Sequence, residues 1–263
     1  AAEATNAIPS KSVCVLDVPV SELPEPQAHA DRLTVEAMDD GAVRILAQGV
    51  GGHASLPEGT VNAIALVVDY LLEVIAALPE SFDPAEVSFI DLLSRVHAGS
   101  DGTGIGMACA SPAFGPLTCN AGTVEVACGR ICQTIDVRFP DTIDADALEV
   151  RCRTLADEFG CGFEPTRAKP PFSVSADSPA VQTLLSVYRE ETGKPAEPFS
   201  MGGGTYARNF KSAVSFGPED NSLLLPAWAG TMHGPNEAAS EELLRDALKM
   251  YILSILRLQN VEL

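Results

Sequence analysis

Between Val61 and Leu78, apolar residues recur at Val61, Ile64, Ala65, Val68, Leu71, Leu72, Ile75 and Leu78, one face of a 3.6-residue period. Thr60 stands where an N-cap is expected, and Pro79 where the helix must stop. A helix this apolar must lay its face on other structure, and strand-like runs precede it. These are Lys11 to Val20 and Arg32 to Val50, the latter folded on a hairpin turn at Asp39-Asp40-Gly41. A second set follows: a short helix near Phe89 to Val96, a Gly/Ser-rich passage from Gly99 to Gly106 that reads as a flexible loop, and strands around 117–127 and 130–139. A helix from about Asp144 to Phe159 and a last strand near 163–169 complete it. This alternation predicts an α/β fold in which two ferredoxin-like β/α half-units lie side by side, with helices on one sheet face.

Lys169-Pro170-Pro171 is the best boundary, because consecutive prolines remove donors and continue neither helix nor strand. It divides the chain into residues 1–169 and 170–263. Beyond it, Ser178 to Thr192 reads as a helix ended by Gly193. Met201-Gly202-Gly203-Gly204-Thr205 reads as a loop opening a short helix, Ala213 to Phe216 as a buried strand, and Ser240 to Arg257 as a final helix with Glu241 and Glu242 in its first turn. So few strands make a thin sheet for an independent domain.

Composition narrows the partners. With 36 acidic against 17 basic residues the formal charge is −19, and the five lysines are scattered, so the clustered basic footprint that grips nucleic acid is missing. The two most apolar stretches, 64–78 and 243–258, are broken by Asp69 and Glu73 and by Arg245 and Lys249, which argues against a membrane span. The first twelve residues lack a signal peptide's basic start and apolar core. Seven cysteines with no C-x-x-C spacing fit reduced thiols in a cytoplasmic protein.

Four histidines can be weighed one by one. His97, at the end of an apolar helical stretch, reads as an ordinary helix-end or surface residue. His29-Ala30-Asp31 has the spacing of a metal-ligand pair but lies in a proline-flanked connection without a rigid surround. His53 follows two glycines that let the backbone turn sharply, and His233 sits in a Gly/Pro turn with Glu237 nearby. Either is structural or functional on this reading alone. Gly202-Gly203-Gly204-Thr205 resembles an anion-binding loop but is followed by no P-loop lysine.

Taken in order, five segments are more specific: Asn6-Ala7-Ile8-Pro9; Gly52-His53-Ala54-Ser55-Leu56-Pro57-Glu58-Gly59-Thr60-Val61-Asn62-Ala63; Asp136-Val137-Arg138-Phe139-Pro140; Gly202-Gly203-Gly204-Thr205-Tyr206-Ala207-Arg208; and Met232-His233-Gly234-Pro235-Asn236-Glu237. Across essentially the whole chain they resemble the zinc metallopeptidase family of dipeptidase V-like enzymes, aminoacylase, glutamate carboxypeptidase and succinyl-diaminopimelate desuccinylase. The resemblance implies that residues 1–169 are the family's lid domain and 170–263 the C-terminal part of its α/β catalytic domain, which holds two zinc ions. It further implies that His53 polarises the scissile carbonyl and that Asn6 helps hold the same group. Arg138 would grip a C-terminal carboxylate, Gly203, Gly204 and Thr205 would line that end of the substrate, and His233 would be a zinc ligand.

The family's other metal ligands and its general-base Glu precede the lid, and this sequence starts at the lid. His29-Ala30-Asp31 and Glu190-Glu191 mimic those motifs out of order. The expectation is therefore a dinuclear zinc dipeptidase lacking the N-terminal half of its catalytic domain and inactive alone. Two readings of the same residues stay open beside it. One is an N-acyl amino acid deacylase or desuccinylase. The other is a non-catalytic module that binds peptide carboxylates, or self-associates through an exposed apolar surface. A cysteine hydrolase pairing a thiol with His53 or His233 has no motif behind it.

Overall fold

The early strand-like runs become β1 (Ala7–Ile8), β2 (Lys11–Leu16), β3 (Leu33–Ala37), β4 (Val43–Gln48) and β5 (Gly52–His53) in a computed structural model. It describes residues 4–127, 129–218, 224, 226–229 and 236–261. Period-two burial organises β4: Val43, Ile45 and Ala47 are fully buried while Arg44 and Gln48 face water. β4 is the middle of an antiparallel sheet ordered β2-β4-β3, and Gly41, at φ +90°, makes the tight turn between its last two strands.

On the buried face lies α1 (Ala63–Ala77), whose Ile64, Val67, Val68, Tyr70, Leu71 and Val74 pack with Val43, Ile45 and Ala47 in the first core cluster. Its cap is Asn62 and not Thr60. The turn at Pro57 engages Thr60, whose hydroxyl donates to the Pro57 carbonyl at 2.6 Å, so the helix starts two residues later. α2 (Pro84–His97) begins earlier than its apolar run suggests, because Asp83 and Glu86 form a capping box and Pro84 is preset for the first helical turn.

The second cluster is built from β6 (Ala110–Ser111), β7 (Gly115–Pro116), the long ribbon of β8 (Thr118–Ala127) and β9 (Arg130–Arg138), and α3 (Ala145–Glu158). Leu117, Cys119 and Ala121 point into it with Leu92, Val96, Ile105, Leu148 and Leu155. The Gly99 to Gly106 passage is packed, since a Cβ on Gly104 would collide with the carbonyl of Arg95. No strand forms at 163–169: Pro165 removes a ladder donor, and Phe163 turns its ring under the Arg153 guanidinium, 5.6 Å from the ring centre.

The chain divides into two compact units, Ala1–Pro171 and Phe172–Leu263. The second holds α4 (Pro179–Thr192), capped by Ser178 and closed by Gly193 at φ +68°, and α5 (Glu241–Leu258), capped by Ser240. These helices pack on each other, and Arg257 on α5 pairs with Glu190 on α4 at 2.6 Å, which accounts for Glu190 as a helix-end charge. Residues 213–216 are not a buried strand. Val214 is exposed, and the described residues of this unit contain no strand to pair with. Phe216 instead meets Tyr251 edge to face, its carbonyl accepting the Tyr251 hydroxyl at 3.2 Å. Among the described residues no helix is long and apolar enough to cross a membrane.

Candidate active site

Alternation along the β8–β9 ribbon sorts its residues into two faces. Leu117, Cys119 and Ala121 enter the core, so Thr118 and Asn120, with their cross-strand partners Arg138 and Asp136, share the other face. That face would be wet, yet Asn120 is only 6% exposed. What covers it is the short ladder of β1 and β5, in which Ala7 pairs with His53 and Ile8 with Gly52. Gly122 allows the approach: a Cβ there would lie 2.8 Å from the carbonyls of Thr5 and Ala7.

Three hydrogen bonds fasten the His53 turn in place. Ala54 N–H donates to the Asn6 carbonyl at 2.9 Å, Asn120 Nδ2 donates to the Ala54 carbonyl at 2.6 Å, and Asn62 Nδ2 donates to the Ala121 carbonyl at 2.7 Å. Across the ribbon from Asn120, Asp136 holds Arg138 in a two-pronged pair, Nε to Oδ1 at 2.5 Å and Nη2 to Oδ2 at 2.8 Å. Both side chains are largely screened from solvent. The backbone at Asn6 and the His53 turn are thus tied to Asn120 on β8, and Arg138 is paired with Asp136, the residue across the ribbon from Asn120. On His53, Nδ1 lies 2.7 Å from Ser55 Oγ and 3.2 Å from Ser55 N.

Gly203, Gly204 and Thr205 belong to the second unit, where the loop is mostly exposed and leads only to a single turn of 3-10 helix at Tyr206–Asn209. Ser215 Oγ donates to Thr205 Oγ1 at 2.7 Å. His233 lies outside the described residues, as does Cys128. His29 is on an exposed loop, its Nε2 3.3 Å from Asp69 Oδ2, and Asp31 is not at that contact. Among the described residues no three His, Cys, Asp or Glu side chains come together as a metal site, so the described donors do not fit a two-metal centre by themselves. Two open depressions, one at Asp91, Ser94, Arg95 and Phe159 and one at 141–147, include none of the candidate residues.

Four of the described thiols are held away from the nucleophilic thiolate form. Burial pushes Cys14 up to about 11 and Cys119 up to about 12, and raises Cys152 and Cys161 as well. His97 is not an ordinary surface residue: burial pushes its imidazole down to about 4, with a smaller upward pull from Gln133.

Ser55, Asn120 and Asp136 were not singled out by sequence reasoning. Asp136 carried the one available signal, an Asp two residues before Arg on a strand, which places both on one face. Asn120 had none, because its partner is 66 residues away.

The sequence profile of the peptidase family M20/M25/M40 matches residues 16–257. Among curated proteins, the chain is 28% identical over 261 residues to one of Bacillus subtilis (strain 168) named "Putative dipeptidase YtjP", covering 96% of this chain and 53% of that protein. It is 30% identical over 224 residues to "Putative dipeptidase SH1171" of Staphylococcus haemolyticus (strain JCSC1435), covering 83% of this chain and 45% of that one. The chain spans about half the length of the curated relatives it matches.

Proposed function

The chain belongs to the peptidase family M20/M25/M40, and from that premise we propose that its first unit is the lid of a dipeptidase and its second the C-terminal part of the catalytic domain. The substrate class is short peptides with a free C-terminal carboxylate. The observation that carries this reading is the hydrogen-bonded chain from Asn6 through Ala54 and Asn120, facing the Asp136–Arg138 pair. An imidazole and a guanidinium carried on neighbouring parts of one hydrogen-bonded support would suit a group that must hold a carbonyl oxygen and a carboxylate of the same small molecule. Arg138, oriented by Asp136, takes the carboxylate; His53 offers a donor to the scissile carbonyl, with Asn6 beside it.

In this reading two zinc ions supply Lewis acidity and water activation in the assembled enzyme. His233 would be one ligand, and the remaining ligands and the general base would come from polypeptide equivalent to the half of the relatives that this chain does not match. Gly203, Gly204 and Thr205 line the carboxylate end. Reduced thiols accord with a cytoplasmic enzyme, and no disulfide joins the described cysteines. An arginine for a free carboxylate also accepts N-acyl amino acids, so deacylation is the neighbouring alternative within the family.

The test is metal counting with activity. After zinc loading and gel filtration, the 263-residue chain is expected to retain fewer than two ions and to leave dipeptides intact. Adding the complementary half, taken from a relative, is expected to produce hydrolysis. In that assembly Arg138→Ala should cost about 10- to 100-fold in kcat/KM for dipeptides and little for dipeptide amides, which lack the carboxylate. Two retained ions with hydrolysis by the chain alone would overturn the incomplete-site reading, and equal losses on acids and amides would overturn the role of Arg138.

A second reading, a non-catalytic module that self-associates, is favoured by one observation: α5 exposes Leu244, Leu248, Ile252, Ile255 and Leu256 along a single face.

A further inference from the structure

Ser55 directs two polar groups at one nitrogen of His53. Its backbone N–H donates to Nδ1 at 3.2 Å, and its hydroxyl oxygen lies 2.7 Å from the same atom. A backbone N–H can only donate, so Nδ1 must present its lone pair; the hydroxyl, free to rotate, then donates too. A proton on Nδ1 would face the Ser55 N–H head on. In a neutral imidazole the proton that Nδ1 does not carry sits on Nε2.

The hydroxyl is not needed to close the turn, because Leu56 N–H already donates to the His53 carbonyl at 3.0 Å. Nor is the ring's backbone loose, since Ala54 is fully buried and held on both sides by Asn6 and Asn120. Ser55 therefore acts on the imidazole itself.

We propose that Ser55 is a positioning residue that fixes His53 as its Nε2–H tautomer, and so decides which ring nitrogen donates toward a substrate carbonyl. The donor's purpose rests on the lid reading above; the tautomer does not. A ring with its proton on Nδ1 would present a lone pair to an incoming carbonyl oxygen, which repels rather than stabilises developing negative charge.

The experiment is long-range 1H–15N correlation of the 263-residue chain labelled with 15N-histidine near neutral pH, with His53 assigned by His53→Gln. The expected result is an acceptor-type shift for Nδ1 and a proton-bearing shift for Nε2. Ser55→Ala keeps the backbone donor and removes the hydroxyl. It is expected to raise the Nδ1–H population about 3- to 10-fold, pulling the two shifts toward each other, and Ser55→Thr should restore the wild-type pattern. The other histidine signals report in the same spectra that the fold is intact. Protonated or mixed Nδ1 in the wild type, or a Ser55→Ala spectrum identical to it, overturns the proposal. In the assembled enzyme Ser55→Ala should lower kcat in proportion to the fraction of rings lost from the Nε2–H form, with KM little changed. A fixed tautomer in an enzyme indifferent to His53→Gln would overturn the lid role of His53 instead, so the two failures are separable.

Discussion

His97 ends α2 with Nε2 buried and without a partner of good hydrogen-bond geometry among the described residues, although Gln133 is near enough to offset part of the burial effect. Its native imidazole titrates at about 4, against 6.5 for the unperturbed side chain. Between those values the unfolded chain binds a proton that the native chain does not. The native state therefore loses stability as pH falls from about 6.5 to about 4, and the loss levels off below that. The full effect is on the order of 3 kcal/mol. His97→Gln, which cannot charge, should shrink the drop in urea midpoint between pH 7 and pH 4.5 relative to wild type. Equal drops in the two proteins would mean the ring is not held neutral. The same residue scale governs Arg138: a bare guanidinium on a strand has many rotamers, and the two-pronged pair with Asp136 narrows them.

At the scale of elements, α1 does more than cover the sheet, because its cap also ties it to the ribbon. Asn62 Oδ1 accepts from Ile64 N–H at 2.9 Å while Nδ2 donates to the Ala121 carbonyl at 2.7 Å. Asp serves as an N-cap as well as Asn does, but it cannot donate and would point a charged oxygen at a carbonyl. Asn62→Asp should therefore cost about 1–3 kcal/mol in urea unfolding, whereas Ser178→Asp on α4, where the cap only accepts from Val181 N–H, should be close to neutral. A neutral Asn62→Asp would show that the bond to β8 contributes nothing. Through this bond the helix start, the His53 turn and the Arg138 strand form one connected piece.

For the molecule as a whole, the two units differ in how well they bury their apolar surface. Both large core clusters lie within the first unit. In the second, α5 turns Ala247, Met250 and Ser254 inward and leaves the stripe from Leu244 to Leu256 in water. Such a stripe is costly to leave wet, so the chain alone should self-associate as concentration rises in sedimentation velocity. Leu248→Lys combined with Ile252→Lys should return it to monomer with unchanged melting, since both side chains are more than half exposed already. A wild-type chain that stays monomeric, with no binding of an apolar dye, would remove the self-association reading.

Local order determined most of the elements. Apolar period, caps and breakers placed α1, α3, α4, α5 and the β8–β9 ribbon to within a few residues, because those signals act over one or two turns of chain. The motif around His53 and the segment carrying Arg138 were legible for the same reason, although the pairing of Arg138 with Asp136 was not. Where a local signal had a competitor close by, the reading slipped: the Pro57 turn engages Thr60, and Pro165 breaks the expected strand at 163–169. The expected strand at 213–216 failed differently, for a strand exists only beside another, and the described second unit has none to offer. Only the tertiary structure decided that Asn120 would be buried under the His53 turn, that His97 would be held neutral, and that Asn62 would bond across 59 residues to Ala121. Those outcomes depend on which backbone carbonyls and side chains arrive from distant segments, and no spacing along the chain encodes that.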